Sequence, residues 1–311
     1  MRAKPKQIAL AVIAALSSPS AFALVGGSVD SNLATSPWAG VGAITINGGV
    51  YSGVLIDSQH VLTAAHVVNS QAGTPGNVSF TLNAGDLTQV LGAAAITVYP
   101  GFTGTSPGAD GVWHDDLAII TLAAPVAGAV PTYGLYGGSL SGQTLTLVGY
   151  GGGGDGVNGV TSGANASVKR VGQNRVDLLL VDDDGGSSDE VFVFDFDGPT
   201  KDTNYFGNGN QPLNQTLGAT IEAQYAGGDS GSPVFVDDNG VWKIAGIGTF
   251  NGSTDLSSSN VLFGSIGGGT IVAPYQTWIE STVAAPVPEP RTWLMMLVGM
   301  GLVGAMVRRQ S

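Results

Sequence analysis

The chain has no cysteine, little charge and only three histidines. Without cysteine it can form neither a disulfide framework nor a thiolate zinc site, and a catalytic thiol is excluded as well. Charged residues make up only 11% of the sequence, whereas glycine is abundant, with 49 residues. This composition favours many short strands joined by turns over long helices with solvated charged faces.

Basic residues are scarce in the central part of the chain. Residues 24–286 hold 5 of the 11 lysines and arginines but 22 of the 23 acidic residues, which leaves a net charge of −17 there. This balance argues against nucleic acid as a partner, because phosphate binding needs lysine and arginine. A strongly acidic surface is more often a means of staying soluble.

The length of 311 residues allows one large domain or two moderate ones.

Residues 1–23 have the features of a secretory signal peptide. Three basic residues within the first six are followed by the apolar run Ile8–Leu16 and then by Ala21-Phe22-Ala23, an A-x-A cleavage site. The alternative is a buried N-terminal helix. Cleavage after Ala23 would make Leu24 the first residue of the exported protein, so we expect the chain to act outside the cytoplasm.

The C-terminal residues 286–311 form a second targeting segment. Val287-Pro288-Glu289-Pro290 precedes a mostly apolar run, Thr292–Val307, and then Arg308-Arg309. The run is shorter than the roughly 20 residues of a full membrane span, but its flanking tryptophan and arginine pair favour membrane insertion. We therefore expect a transmembrane tail. An ordinary C-terminal anchor is one interpretation of it.

The same tail resembles the bacterial PEP-CTERM sorting signal. That resemblance implies an exosortase-type processing enzyme as a partner, which recognises the Pro-Glu-Pro motif and removes the tail after transient membrane contact. It also implies a Gram-negative bacterium, with the protein in the periplasm, at the cell surface or in the extracellular matrix.

A histidine lies at the end of a predicted strand in the first half. Trp38–Ile46 and Gly49–Ile56 read as a β-hairpin, and the following segment ends on Thr63-Ala64-Ala65-His66. Over some 16 positions, Tyr51–His66 resembles the chymotrypsin-like serine proteases around their catalytic histidine. A single histidine is more often structural, and we assign packing or surface roles to His60.

Two further segments match the same family in its order along the chain. In the run Trp113–Leu122, Asp116 precedes the apolar strand directly and takes the position of the family's buried aspartate, whereas Asp115 is expected to be a solvated turn residue. The turn Ala226–Pro233 places Ser230 among glycines, which suits a nucleophile beside an oxyanion hole.

The resemblance covers roughly residues 24–284 and is weakest over 151–215. It implies an all-β fold of two six-stranded antiparallel β-barrels of the chymotrypsin type with a short C-terminal helix. We place the first barrel at residues 24–131 and the second at residues 132–285. The signal peptide (1–23) and the sorting tail (286–311) lie outside both.

The resemblance also implies roles for individual residues. His66, Asp116 and Ser230 would form the catalytic triad of a secreted serine endopeptidase, with the backbone N–H groups of Gly228 and Ser230 as the oxyanion hole. The new amino group of Leu24 would pair with Asp229. The substrate pocket would be formed by Gln224 at its floor and by walls from Thr249, Phe250, Asn251 and Gly267.

The absence of an acid at Gln224 predicts a protein or peptide substrate cleaved after uncharged residues, not after lysine or arginine. Glu222, two residues earlier, could overturn this if the alignment slips. No cofactor is expected. Asp182–Glu190 carries clustered oxygen ligands that could hold Ca²⁺, but its spacing does not match the EF-hand loop, so a solvated acidic turn is favoured.

Two other functions compete with the protease interpretation. The same fold could serve as a catalytically silent surface or matrix binding module, as Gly-rich, acidic, tail-sorted proteins often do. A serine esterase of another fold is excluded, because Gly228-Asp229-Ser230-Gly231-Ser232 lacks the final glycine of G-x-S-x-G and no histidine follows Ser230.

Overall fold

The computed structural model describes residues 24–104, 110–207, 216–252 and 260–285. The predicted signal peptide (1–23) and the sorting tail (286–311) lie outside the described residues. Within them, two short α-helices and sixteen β-strands form, which confirms the expected all-β class of the chymotrypsin type. The first half contains β1 (Ser28–Val29), β2 (Val41–Ile46), β3 (Gly49–Leu55), β4 (His60–Thr63), α1 (Ala65–Val68), β5 (Val78–Leu82), β6 (Gln89–Val98) and β7 (Ala118–Leu122).

Six of these strands close into an antiparallel barrel, in the order β2-β3-β4-β7-β6-β5. Apolar residues fill its interior, and β5 shows the alternation of buried and half-buried side chains expected for a strand with one face on a core. The hairpin β2–β3 turns through Asn47 and Gly48, both with positive φ, as its two-residue turn requires. The expected six-stranded antiparallel barrel is confirmed, and its bounds at residues 24–131 stay a prediction.

The second half forms an eight-stranded antiparallel sheet in the order β1-β11-β8-β14-β15-β16-β13-β12. It has two strands more than the expected six, because β1 pairs with β11 at one edge and β12 pairs with β13 at the other. Its elements are β8 (Thr144–Gly149), β11 (Arg170–Arg175), β12 (Leu178–Val181), β13 (Asp189–Asp195), β14 (Pro233–Asp238), β15 (Val241–Gly252) and β16 (Ile266–Ile271); β9 (Gly153–Asp155) and β10 (Gly159–Ser162) form a separate hairpin, and α2 (Gln276–Ala284) follows β16.

One continuous apolar core joins the barrel to the second half. The ring of Trp38 lies 5.0 Å from Phe235 and 4.9 Å from Trp242, measured between centroids. Tyr133, on the connection between the two halves, packs 4.7 Å from Phe235. Ile279 of α2 is buried in the same cluster, so the C-terminal helix closes onto the barrel. This packing fixes the two halves against each other and leaves their facing loops to form the site.

The described part of the structure contradicts the expectation of a transmembrane protein. No helix within the described residues is long and apolar enough to cross a membrane. The helices α1 and α2 have four and nine residues, whereas a span needs about 20.

Candidate active site

His66 and Asp116 meet where two paired strands end. Strand β4 pairs with β7, with Thr63 opposite Ala118, so the residues just beyond β4 and just before β7 are neighbours. Nδ1 of His66 lies 2.6 Å from Oδ2 of Asp116. The backbone N–H of His66 donates to the other carboxylate oxygen at 2.8 Å. The two contacts fix both the position and the rotation of the imidazole.

The surroundings of this pair differ on its two sides. Asp116 is 1% exposed, whereas the side chain of His66 is 36% exposed. Burial of the imidazole lowers its pKa, but the negative charge of Asp116 and the hydrogen bond to it outweigh that effect and raise the pKa of His66 above its ordinary value. The arrangement stabilises a protonated imidazole that is still partly exposed to solvent.

The turn that carries Ser230 packs against the strands that lead to His66. The N–H of Ser52 donates to the carbonyl of Ser230 at 3.0 Å. Gly231 has φ +83°, and a Cβ there would overlap Thr63 Oγ1 and Ser52 O. A side chain at this position would therefore push the turn away from the segment Thr63–His66.

The structure thus brings the Ser230 turn to the His66 segment. The hydrogen bonds of the described residues include none between Ser230 Oγ and the His66 ring. Such a bond is often long or poorly aligned until substrate is bound.

Gly228 also occupies a place that only glycine fits. Its φ is +94°, and a Cβ there would lie 3.0 Å from both Gly151 Cα and Val50 O. The hydroxyl of Ser52 donates to the Gly228 carbonyl at 3.1 Å. The backbone on the N-terminal side of Ser230 is therefore held rigidly. That its N–H groups form an oxyanion hole stays a prediction.

Asp229 points into the protein. It is 1% exposed, and its carboxylate accepts hydrogen bonds from the N–H groups of Ala226, at 3.1 Å, and Gly151, at 3.2 Å. Burial raises its pKa well above the ordinary value. Among the ion pairs of the described residues, none involves Asp229.

The chain around Leu24 is threaded into the second half. Leu24 and Val25 are fully buried. Val25 exchanges two backbone hydrogen bonds of 2.9 Å with Gln224, and the N–H of Gly26 donates to Gly154 O at 3.0 Å. The segment that follows the expected cleavage site is thus bound to Gln224, which lies five residues before Asp229 in the sequence. The pairing of its amine with Asp229 stays a prediction.

Gln224 and Gly267 lie next to each other, and their place in one substrate pocket stays a prediction. A Cβ on Gly267 would overlap Oε1 of Gln224. Gln224 is fully buried, and its amide donates to Ser265 O at 3.2 Å and accepts from Tyr225 N at 2.7 Å. Nearby, the amide of Asn251 donates to Tyr225 O at 2.7 Å.

The neighbours of Asn251 on β15 are placed differently. The ring of Phe250 covers Gly268, where a Cβ would lie 2.5 Å from Cζ, and it packs against the buried cluster that includes Ile266. The Thr249 hydroxyl is buried and has no hydrogen-bond partner among the described residues. Their roles as pocket walls stay predictions.

Asp115 was expected to be solvated, and the structure shows otherwise. It is 9% exposed and has φ +58°, which is uncommon for a residue with a side chain. Its Oδ1 accepts a 2.8 Å hydrogen bond from the Tyr275 hydroxyl. Burial raises the pKa of Asp115, against the effect of that hydrogen bond. Because its partner is 160 residues away, no local pattern indicates the contact.

Sequence reasoning also missed the surroundings of His114. Its side chain is 3% exposed and lies between Asp110, at 3.1 Å from Nε2, and Glu190, at 3.1 Å from Nδ1. Burial lowers its pKa, but hydrogen bonds to Glu190 and Asp110 and the charges around it raise it to about 9. The acidic stretch Asp182–Glu190 is therefore more than a solvated turn, because one of its acids reaches a buried histidine.

Two family models match this chain. A trypsin-like peptidase domain matches residues 51–247, which include His66, Asp116 and Ser230. A PEP-CTERM protein-sorting motif matches residues 286–310, which indicates export and sorting in a Gram-negative bacterium and processing by an exosortase. A comparison with curated proteins finds no match. The protein is thus exported and protease-like, and the peptidase match covers more than half of it. The chain belongs to the trypsin-like peptidase family.

Proposed function

We propose that the protein is a secreted serine endopeptidase that hydrolyses peptide bonds through Ser230, His66 and Asp116. The observation that carries this proposal is the 2.6 Å contact of His66 Nδ1 with a buried Asp116, beside a Ser230 turn that packs on the same strands. A base held by a carboxylate and next to a hydroxyl is the arrangement that activates serine.

The reaction follows in two halves. Ser230 Oγ attacks the carbonyl carbon of the substrate while His66 takes the hydroxyl proton, and Asp116 stabilises the resulting imidazolium. The same proton then passes to the leaving amine as the C–N bond breaks, which leaves an acyl-enzyme. Water, deprotonated by His66, attacks the ester, and Ser230 recovers its proton as the acid product leaves. The N–H groups of Gly228 and Ser230 would bind the oxyanion in both halves.

Export itself would activate the enzyme. Cleavage after Ala23 frees the amine of Leu24, and Asp229 offers a buried carboxylate that accepts, within the described part of the chain, two backbone N–H groups. An ion pair there would lower the raised pKa of Asp229 and lock the turn before Ser230. N-terminal sequencing of the active protein tests this step. A first residue other than Leu24 would refute it.

Substrates with uncharged side chains at the cleavage site fit the pocket best. Gln224 is neutral, and both ends of its amide are bound to the backbone. Glu222, the acid nearest in sequence, does not compete, because its oxygens accept the N–H groups of Leu217 and Asp197 at 2.7 Å. A peptide-library profile dominated by cleavage after lysine or arginine would contradict this assignment.

A fluorophosphonate probe separates the enzyme from a silent binding module. The mature protein should be labelled at Ser230, and Ser230→Ala should abolish both labelling and peptide hydrolysis. Ser281→Ala is the matched control, since this exposed serine on α2 donates to Trp278 O and should leave labelling unchanged. His66→Ala should lower turnover about 10⁴-fold or more. An unlabelled, folded protein would support the binding module instead.

A further inference from the structure

The structure assembles a compact set of metal-ligand side chains between the two halves of the fold. His114 lies in the segment that leads into β7, Asp183 in the turn between β12 and β13, and Glu190 at the start of β13. His114 Nδ1 is 3.1 Å from Glu190 Oε2 and 3.7 Å from Asp183 Oδ1. All three donor atoms lie within 4.8 Å of one another.

These spacings match the geometry of a small tetrahedral ion. Ligand atoms about 2.0–2.2 Å from zinc sit roughly 3.4 Å apart around a tetrahedron. The two distances from His114 Nδ1 bracket that value, so an ion could be bound with small side-chain adjustments. Asp183 is 40% exposed, which leaves room for a water as fourth ligand and a path for entry.

The orientation of the histidine ring is a second, separate indication. While Nδ1 faces the two carboxylates, Nε2 lies 3.1 Å from Asp110 Oδ2. Metal-bound histidines usually donate their other N–H to a carboxylate in this way, which fixes the tautomer and increases the basicity of the ligating nitrogen. The ring is 3% exposed, so this orientation is imposed by the fold.

Charge in this region is not balanced by lysine or arginine. The described ion pairs of Asp110, Asp183 and Glu190 run only to His114. Three carboxylates around one imidazole leave a net negative site even when the ring is protonated. A divalent cation in place of the Nδ1 proton would neutralise it more completely.

We propose that His114, Asp183 and Glu190 bind a divalent transition-metal ion of the zinc type, with Asp110 supporting His114. Imidazole is a ligand suited to zinc, whereas calcium prefers oxygen ligands alone. The sequence favours a solvated acidic turn at Asp182–Glu190 over a Ca²⁺ site, and the proposed zinc site uses two acids of that stretch. The ion would join the barrel to the second half, and its ligand His114 lies two residues before Asp116 in the sequence.

Zinc binding can be measured on untagged mature protein, because an oligohistidine tag would bind zinc itself. After treatment with a chelator, calorimetric titration with Zn²⁺ should give one site per chain and raise the unfolding temperature. Co²⁺ should give the visible absorption of a tetrahedral site. Equal or tighter binding of Ca²⁺ would overturn the choice of metal, and absence of Zn²⁺ binding would overturn the site.

Variants in the exposed turn identify the ligands without disturbing the core. Asp183→Ala should weaken zinc binding at least tenfold, whereas Asp184→Ala removes the same charge from the same turn and should leave binding unchanged. His114→Gln should abolish the cobalt absorption, with His60→Gln as its control, since the ring of His60 has Asp57 as its one hydrogen-bond and ion-pair partner among the described residues. Equal affinities in Asp183→Ala and Asp184→Ala would refute the assignment. Because binding is read without substrate, this result is independent of peptidase activity.

Discussion

The hydroxyl of Tyr275 donates a 2.8 Å hydrogen bond to Oδ1 of Asp115, which links the C-terminal segment to the barrel. Asp115 adopts φ +58° directly before Asp116. Its other oxygen leaves no room for a side chain at Gly101. The ring of Tyr275 packs edge-on against Tyr99, 4.8 Å away. The turn that directs Asp116 towards His66 is thus supported from the second half of the chain.

Removal of that hydroxyl tests the support. Tyr275→Phe leaves a buried carboxylate short of a donor, so the free energy of unfolding should fall by about 1–3 kcal/mol. Turnover should fall about tenfold with little change in KM, because Asp116 loses alignment. Urea unfolding and steady-state kinetics measure the two effects. Tyr136→Phe is the control, and an equal loss of turnover there would contradict a positioning role.

The pH profile of hydrolysis should report the state of His66. The base must start neutral. Because the pKa of His66 is raised above the ordinary value of 6.5, activity should begin to fall at a pH above 6.5 as the solution is acidified. The pH dependence of kcat/KM and an NMR titration of the ring should agree. Asp116→Asn should lower turnover about 10⁴-fold and reduce the pKa of the ring. A rate independent of pH between 5 and 7.5 would exclude His66 as the base.

A buried lysine is expected to contribute strongly to stability. Lys169 is fully buried, donates to Trp38 O at 2.9 Å and lies 3.4 Å from Asp30 Oδ1. Lys169→Met should cost about 3–5 kcal/mol, because it leaves Asp30 without its counter-ion. Lys243→Met breaks the solvent-screened pair with Asp238 and should cost far less. Equal unfolding midpoints in urea for the two variants would contradict this difference.

Stability should decrease as pH rises towards neutrality. Burial, followed by the charge of Asp195, raises the pKa of Asp197 from 3.8 to about 7. The folded protein therefore keeps a proton that the unfolded chain releases above pH 4, so the free energy of unfolding falls between about pH 4 and 7. Urea unfolding across this range measures the slope.

Asp197→Asn should reduce that slope, because the amide cannot ionise. Asp155→Asn is the control, since Asp155 is exposed and its hydrogen bonds to Asn158 and Val157 lower its pKa, which leaves the range above pH 4 unaffected. A slope that is unchanged in Asp197→Asn would show that another group carries the effect.

The sequence was informative where chemistry depends on neighbouring residues. The segments around His66, Asp116 and Ser230 each carry a local pattern, and β5 of the barrel alternates between buried and half-buried side chains. Eight strands in the second sheet were not foreseen, because β1 has only two residues and no pattern of its own.

The missed contacts share a physical cause. Tyr275 meets Asp115 across 160 residues, and Glu190 meets His114 across 76. An acidic residue in a turn is usually solvated, and only the tertiary fold shows which one is covered. The expectation of a transmembrane protein depended on the composition of a short apolar run. Composition alone does not establish that a helix crosses a membrane.

The contact of Tyr275 with Asp115 forms late when the chain folds during synthesis and export. A chain grows and is exported from its first residue to its last, so His66, Asp116 and Ser230 all emerge before the segment that steadies the Asp116 turn. The barrel stays without that support until synthesis reaches Tyr275, which directly precedes α2. A chain that ends before Tyr275 would therefore carry His66, Asp116 and Ser230 but lack the hydrogen bond that supports Asp115.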